Sequence, residues 1–282
     1  MQLSDVINEV WASRFSVKSP VEKDICNFDI FVKDEYYPVG SSGGMGLWTG
    51  RQKSRKTFAL NCTIGSAIKG EAVGPFRYKP NGGIILHFDT EQPRNRYLIG
   101  QRKMYSIAGF DLSTDQDRYF SFNLRKYDWQ TRVKIVNQII MEMLKDGMTI
   151  DLLCIDGIVD LCENFNENTS ARDTTQKVMA WGEATGASIY QVLHTNKSGG
   201  EVRGHLGTEL SNKTDFTLEV KKKEDDDIFS TVQCKDTRFF PFPKFELYQT
   251  RDGSIDMETG GWISDDVYLK QQEEEMGAPL PF

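Results

Sequence analysis

The chain has three histidines and five cysteines in 282 residues, and they show no metal-binding spacing. Cys26, Cys62, Cys154, Cys162 and Cys234 contain no CxxC pair. An odd number of such thiols argues against a disulfide framework and reads as a reduced, cytoplasmic protein with cysteines in its core. Long apolar runs are also missing. Nothing approaches the roughly 20 residues of a membrane span, so no membrane partner is expected. The opening MQLSDVINEVWASRF lacks the basic start and apolar middle of a signal peptide. Positive charge is short as well: 34 Lys and Arg stand against 41 Asp and Glu, a net charge of −7. A protein that coats duplex DNA through its phosphates is usually basic. Any nucleic-acid contact must therefore come from local loops. No internal repeat is present.

What the sequence does contain is an alternation of apolar strand-length runs with helical patterns. MGLWTG reads as a short strand before a helix over Lys56–Lys69. Residues 83–89, 151–156 and 187–194 read as buried strands. Residues 91–108, Trp129–Lys145 and 174–185 read as helices. That order predicts an α/β fold with a mostly parallel central sheet flanked by helices. After residue 215 the pattern changes to sequential strands, with the acidic run at 224–227 as a hairpin loop. These strands predict an antiparallel addition at the C-terminal side. Residues 1–40 read as an N-terminal extension, of a short helix and an irregular or stranded lead-in. The stretch 40–46 reads as a flexible link, 41–262 as the core and 263–282 as a C-terminal helix or acidic tail.

The chemistry begins where the first core strand meets its helix. Gly50, Arg51, Gln52, Lys53, Ser54, Arg55, Lys56 and Thr57 fit the phosphate-loop pattern GxxxxGK[ST] except at Arg55, where a second glycine is expected. Backbone N–H groups in such a loop and at the helix N-terminus cradle phosphate oxygens. Lys56 would reach the outer phosphates and the Thr57 hydroxyl would ligate Mg2+. The Arg55 guanidinium would either add a phosphate contact or project outward. DLLCIDG then ends an apolar strand with Asp156, a second candidate for holding magnesium; a buried acid there is costly unless paired or liganded. His87, inside an apolar strand, reads as a core histidine.

Motif order and spacing over residues 45–222 resemble RecA-like P-loop ATPases. Within them the chain is similar to RepA-type hexameric helicases and to AAA-family ATPases of plasmids, phages and mobile elements. The resemblance implies a RecA-like core that binds and hydrolyses ATP with Mg2+. It implies that Glu91, in IILHFDTEQ, activates the attacking water, with Asp89 as the fallback. His194 or Asn196, at the end of the third buried strand, would sense the γ-phosphate. Arg203, in RGHLGTEL, would be an arginine finger inserted into a neighbouring subunit, with Lys213 a weaker candidate. A finger acting in trans implies a homo-oligomer, expected to be a hexamer. Loops at 163–173 and 197–202 would face single-stranded DNA, with Arg172, Lys197 and Asn166 as contacts. Neither loop has the interleaved aromatics that stack bases, beyond Phe165. The terminal EEEMGAPLPF resembles the tips of bacterial single-strand-binding proteins, which implies a replication partner for the tail. Three functions stay open: a helicase-like DNA motor of a mobile element, a recombination or annealing ATPase, and a slow nucleotide-dependent scaffold.

Overall fold

The computed structural model describes residues 3–14, 16–18, 26–196, 202, 204–223, 229–248 and 262–263. The order opens with α1 (Leu3–Ala12), β1 (Cys26–Val32), β2 (Glu35–Ser41), β3 (Met45–Gly50) and α2 (Lys56–Lys69). It continues with β4 (Phe76–Tyr78), β5 (Ile84–Asp89), α3 (Arg94–Ala108), β6 (Tyr119–Asn123), α4 (Trp129–Lys145) and β7 (Ile150–Asp156). The second half holds α5 (Asn168–Thr185), β8 (Ser188–His194), α6 (Gly204–Ser211) and β9 (Phe216–Lys222). It closes with β10 (Phe229–Thr237), β11 (Phe245–Tyr248) and β12 (Trp262–Ile263).

Among the described residues, one sheet of nine strands runs in the order β12-β11-β10-β9-β3-β8-β7-β5-β6. β9, β3, β8, β7, β5 and β6 are mutually parallel. β10, β11 and β12 extend the sheet antiparallel. The expected mostly parallel sheet with an antiparallel addition is therefore present. Its central strands are buried on both faces, which is why they read as continuous apolar runs. Alternate residues serve two cores. Trp48, Ile85, Leu152, Cys154, Tyr190 and Val192 face α2 and α3. Leu47, Leu86, Leu153, Ile155, Ile189 and Leu193 face α4, α5 and α6.

Residues 26–41 are not separate from the core. β1 pairs antiparallel with β2 and β4 in a second, three-stranded sheet. A two-residue turn at Lys33 and Asp34, both with positive φ (51° and 63°), joins β1 to β2. Phe28 packs its ring 5.4 Å from Tyr190 and 5.5 Å from Phe216, centroid to centroid. The boundary drawn at residue 40 thus falls within β2. The segment 40–46 is two strand ends and a turn, with Gly40, Met45 and Gly46 buried. α1, by contrast, has no buried residue, and its Leu3, Ile7, Val10 and Trp11 form an exposed apolar stripe.

Two helix boundaries also differ from the sequence reading. α3 starts at Arg94 and not at 91, because Pro93 takes the cap position and residues 90–92 wrap around Asp89. α5 starts at Asn168, so the second half of the 163–173 loop is helical. The acidic run 224–227 and the tail beyond residue 263 lie outside the described residues.

Candidate functional site

Parallel strands in register bring their carboxyl ends to one line. Gly50 pairs with His194, and Asp156 with Asp89, which pairs in turn with Asn123. Open parallel sheets bind ligands at this edge. The loop after β3 crosses it. Gly50 has φ 146°, and a Cβ there would lie 2.2 Å from the Val220 carbonyl oxygen of β9, so only glycine fits. Lys53 and Arg55 also have positive φ (63° and 74°). The loop closes on itself through Ser54 N–H to the Arg51 carbonyl at 3.3 Å, then feeds α2. Arg51, Gln52 and Lys53 are exposed, whereas Ser54 is buried with its hydroxyl unpartnered.

Lys56, the first residue of α2, is only 4% exposed. Its ammonium donates to the Gly50 carbonyl at 3.0 Å, to the Arg51 carbonyl at 2.8 Å and to His194 Nδ1 at 3.0 Å. Burial pulls its pKa down to about 8. An ammonium has no acceptor, so His194 Nδ1 must accept and the imidazole proton sits on Nε2. Nε2 then donates to Glu91, whose Oε1 lies 3.2 Å away. That hydrogen bond holds the Glu91 carboxyl below its usual range. Lys56, His194 and Glu91 thus form one polar chain from the loop of β3 across β8 to the end of β5.

Thr57 and Asp156 form the second link. Thr57 Oγ1 donates to Asp156 Oδ2 at 2.7 Å. Asp156 is 2% exposed, and burial, followed by the charge of Asp89, pushes its pKa up to about 7. Asp89 is also buried, with its pKa up to about 6 for the same first reason. Both its oxygens are engaged: Oδ1 accepts from Gln92 N–H and Asn123 Nδ2, and Oδ2 from Gln92 Nε2. Glu91, 37% exposed, is the freer of the two acids for work on a bound molecule.

Among the described residues no group of three His, Cys, Asp or Glu side chains is gathered to hold a metal ion. The pair that is present, a hydroxyl hydrogen-bonded to a buried carboxylate, suits magnesium, which completes its shell with waters and substrate phosphates.

Several contributors had no motif to announce them. Gly157 has φ 102°, and a Cβ there would lie 2.3 Å from Thr90 Oγ1 and 2.8 Å from Glu91 Cγ. Its bare backbone lets the 90–91 turn close over Asp156. Thr90 Oγ1 lies 3.0 Å from the carbonyl oxygens of both Asp156 and Gly157, stitching the two turns together. A cavity of about 420 Å³ opens beside Gln52, Glu91 and His194, with Arg125 and Arg132 on its far wall. Arg132 is tied to the Asp160 and Arg125 carbonyls, each at 3.0 Å, which fixes that wall. The signal for Arg125 was a basic turn after β6, whereas Arg132 lies within α4 and has none. A larger groove of about 810 Å³ lies between α3 and β6, apart from the β3–α2 loop.

Other expected residues are placed elsewhere. Arg55 is turned to β10, with Nη1 donating to the Phe229 carbonyl at 2.8 Å and Ser230 Oγ at 2.7 Å. Asn196 is half-buried just past β8. Lys213 is exposed at the opposite end of the sheet, two residues before Asp215, whose N–H bonds the Met45 carbonyl at the start of β3. Arg172 faces Glu209 at 3.5 Å, and the Phe165 carbonyl accepts from Leu206 N–H, so this loop packs against α6. Arg203, Lys197 and the C-terminal tip lie outside the described residues. His87 is buried beside Tyr119, and burial pushes its pKa down to about 3. All five cysteines are free thiols. No described helix is long and apolar enough to cross a membrane.

Comparison with protein-family models gives no match, and comparison with curated proteins gives none.

Proposed function

We propose that this chain is a RecA-like ATPase that binds ATP with magnesium at the β3–α2 loop and hydrolyses it. The observation that carries the reading is the convergence of four strand ends. Lys56, Thr57, Asp156, His194 and Glu91 are joined by two hydrogen-bonded links at the carboxyl edge of a parallel sheet. The loop from Gly50 to Thr57 cradles the phosphates with its N–H groups and the N-terminus of α2. Lys56 leaves the Gly50 and Arg51 carbonyls for the outer phosphates. Thr57 and Asp156 would hold a magnesium ion, which would neutralise phosphate charge. Glu91, oriented by His194, takes the proton of the attacking water. When Lys56 moves, the Nδ1 acceptor of His194 is freed, so His194 registers the nucleotide.

The use of that hydrolysis is a helicase-like motor on single-stranded DNA, serving replication or mobilisation of a mobile element. What supports this step is the resemblance of motif order, including Arg203 as a finger acting between subunits. The exposed apolar stripe of α1 supports association into an oligomer, a hexamer in that family. The test is steady-state ATP hydrolysis at low salt with and without single-stranded DNA, beside Lys56→Ala. Stimulation by DNA that disappears in Lys56→Ala is expected. Binding without turnover would instead favour a nucleotide-dependent scaffold, the reading that Arg55 in a glycine position favours.

A further inference from the structure

Arg55 is where the phosphate loop departs from its pattern. A glycine is expected there, and the backbone indeed adopts the left-handed conformation that glycine takes without strain: φ is 74° and ψ 26°. A side chain in that conformation is strained, and Arg55 makes contacts that offset the strain. The compensation lies outside the nucleotide pocket. Nη1 donates to the Phe229 carbonyl at 2.8 Å and to Ser230 Oγ at 2.7 Å, both on β10. Hydrogen bonds from a charged donor are stronger than neutral ones. The acceptors are fixed: Ser230 is fully buried and stands in register between Lys222 of β9 and Leu247 of β11.

The neighbouring strand β9 touches the other end of the loop. Gly50 abuts the Val220 carbonyl of β9 so closely that no side chain fits. The loop is therefore held at its first residue by β9 and at its sixth by β10, and the turn between them buries Ser54.

We propose that Arg55 is a positioning residue: it anchors the phosphate loop to β10, so that nucleotide affinity is set by a contact made outside the nucleotide pocket. The proposal rests on the phosphate-loop reading of residues 50–57. It assigns β10 a role in the site that neither motif nor strand order provides. It also explains how a P-loop keeps its shape without its second glycine.

The test uses the full chain and a fluorescent N-methylanthraniloyl-ADP with magnesium as the probe. Arg55→Gly keeps the left-handed backbone and removes the anchor. Its Kd is expected to rise about 10- to 150-fold, the range for losing hydrogen bonds to a charged group, with kcat at saturating ATP changed far less. Ser230→Ala, which removes one acceptor on β10, should raise Kd by about 3-fold. The Arg55→Gly, Ser230→Ala double variant should bind no more weakly than Arg55→Gly alone, because both break one contact. Arg55→Lys should recover part of the loss.

If Arg55→Gly binds as tightly as the unchanged protein or tighter, the position needs only its backbone shape and the proposal fails. Multiplicative effects of the two substitutions would overturn it too, since Arg55 would then act independently of β10. If Arg55→Gly does not fold, Arg55→Lys and Ser230→Ala decide by the same criteria. Loss of binding in Lys56→Ala with full binding in Arg55→Gly overturns only this inference. No binding by the unchanged protein overturns the phosphate-loop reading with it.

Discussion

Replacing Asp156 should separate stability from function. Its carboxylate is almost fully buried beside Asp89, and its pKa is pushed from 3.8 up to about 7, chiefly by burial. A rise of that size corresponds to about 4 kcal/mol for keeping the group ionised in the folded protein. The folded value lies above the unfolded one. The penalty is therefore absent below about pH 4, grows as pH rises and is complete above about pH 7. Asp156→Asn keeps the shape and an acceptor for Thr57 Oγ1 but removes the charge. At pH 8 and without nucleotide the variant should be more stable by about 2–4 kcal/mol, because part of the cost is repulsion that Asp89 shares. For a chain of this size that is a Tm rise of roughly 3–7 °C. Differential scanning calorimetry at pH 8 and pH 5 measures it, and the gain should shrink at pH 5. Magnesium ATP at a hundredfold its Kd should stabilise the unchanged protein by about 3 kcal/mol, whereas Asp156→Asn should lose the magnesium-dependent part. A variant less stable than its parent at pH 8, or one equally stabilised by magnesium ATP, would refute the reasoning.

Glu91→Gln removes the proposed proton acceptor, and turnover should fall by about 10²–10⁴-fold with nucleotide binding retained; equal turnover would move the role elsewhere. Gly157→Ala places a Cβ 2.3 Å from Thr90 Oγ1 and 2.8 Å from Glu91 Cγ, so kcat should drop by at least tenfold in the same assay. Arg203→Ala should cost about 10³–10⁵-fold in turnover while sparing binding, and activity should return on mixing with Glu91→Gln subunits if the finger acts in trans. Phe28→Ala should destabilise the protein by about 3–5 kcal/mol in urea unfolding, because this ring is packed on Tyr190 and Phe216.

The parallel part of the sheet was legible because β3, β5, β7 and β8 are covered on both faces and carry unbroken apolar runs. Residues 26–41 were harder to read. β1 is a short run, CNFDIFV, broken by Asn27 and Asp29 and followed by a glycine-rich stretch that suggests a linker. Its place in the core depends on distant partners: Asp29 is neutralised by Arg77 and Lys79, and Phe28 meets Tyr190 and Phe216. In the candidate site, motif spacing pointed to Lys56, Thr57 and Asp156, and the family resemblance to Glu91 and to His194 or Asn196. Sequence could not show that His194 bridges Lys56 and Glu91, because that contact joins residues 138 and 103 positions apart. Nor could it show where the Arg55 side chain goes, since β10 lies more than 170 residues downstream. Gly157 and Arg132 act through packing and carbonyl contacts, which leave no motif.

The central claim is that residues 50–57 bind nucleotide for hydrolysis. The most direct measurement is magnesium-dependent binding and hydrolysis of ATP by the full chain beside Lys56→Ala. The account predicts saturable binding and measurable turnover in the unchanged protein and the loss of both in the variant. Identical behaviour of the two proteins, whether both bind or neither does, would contradict it.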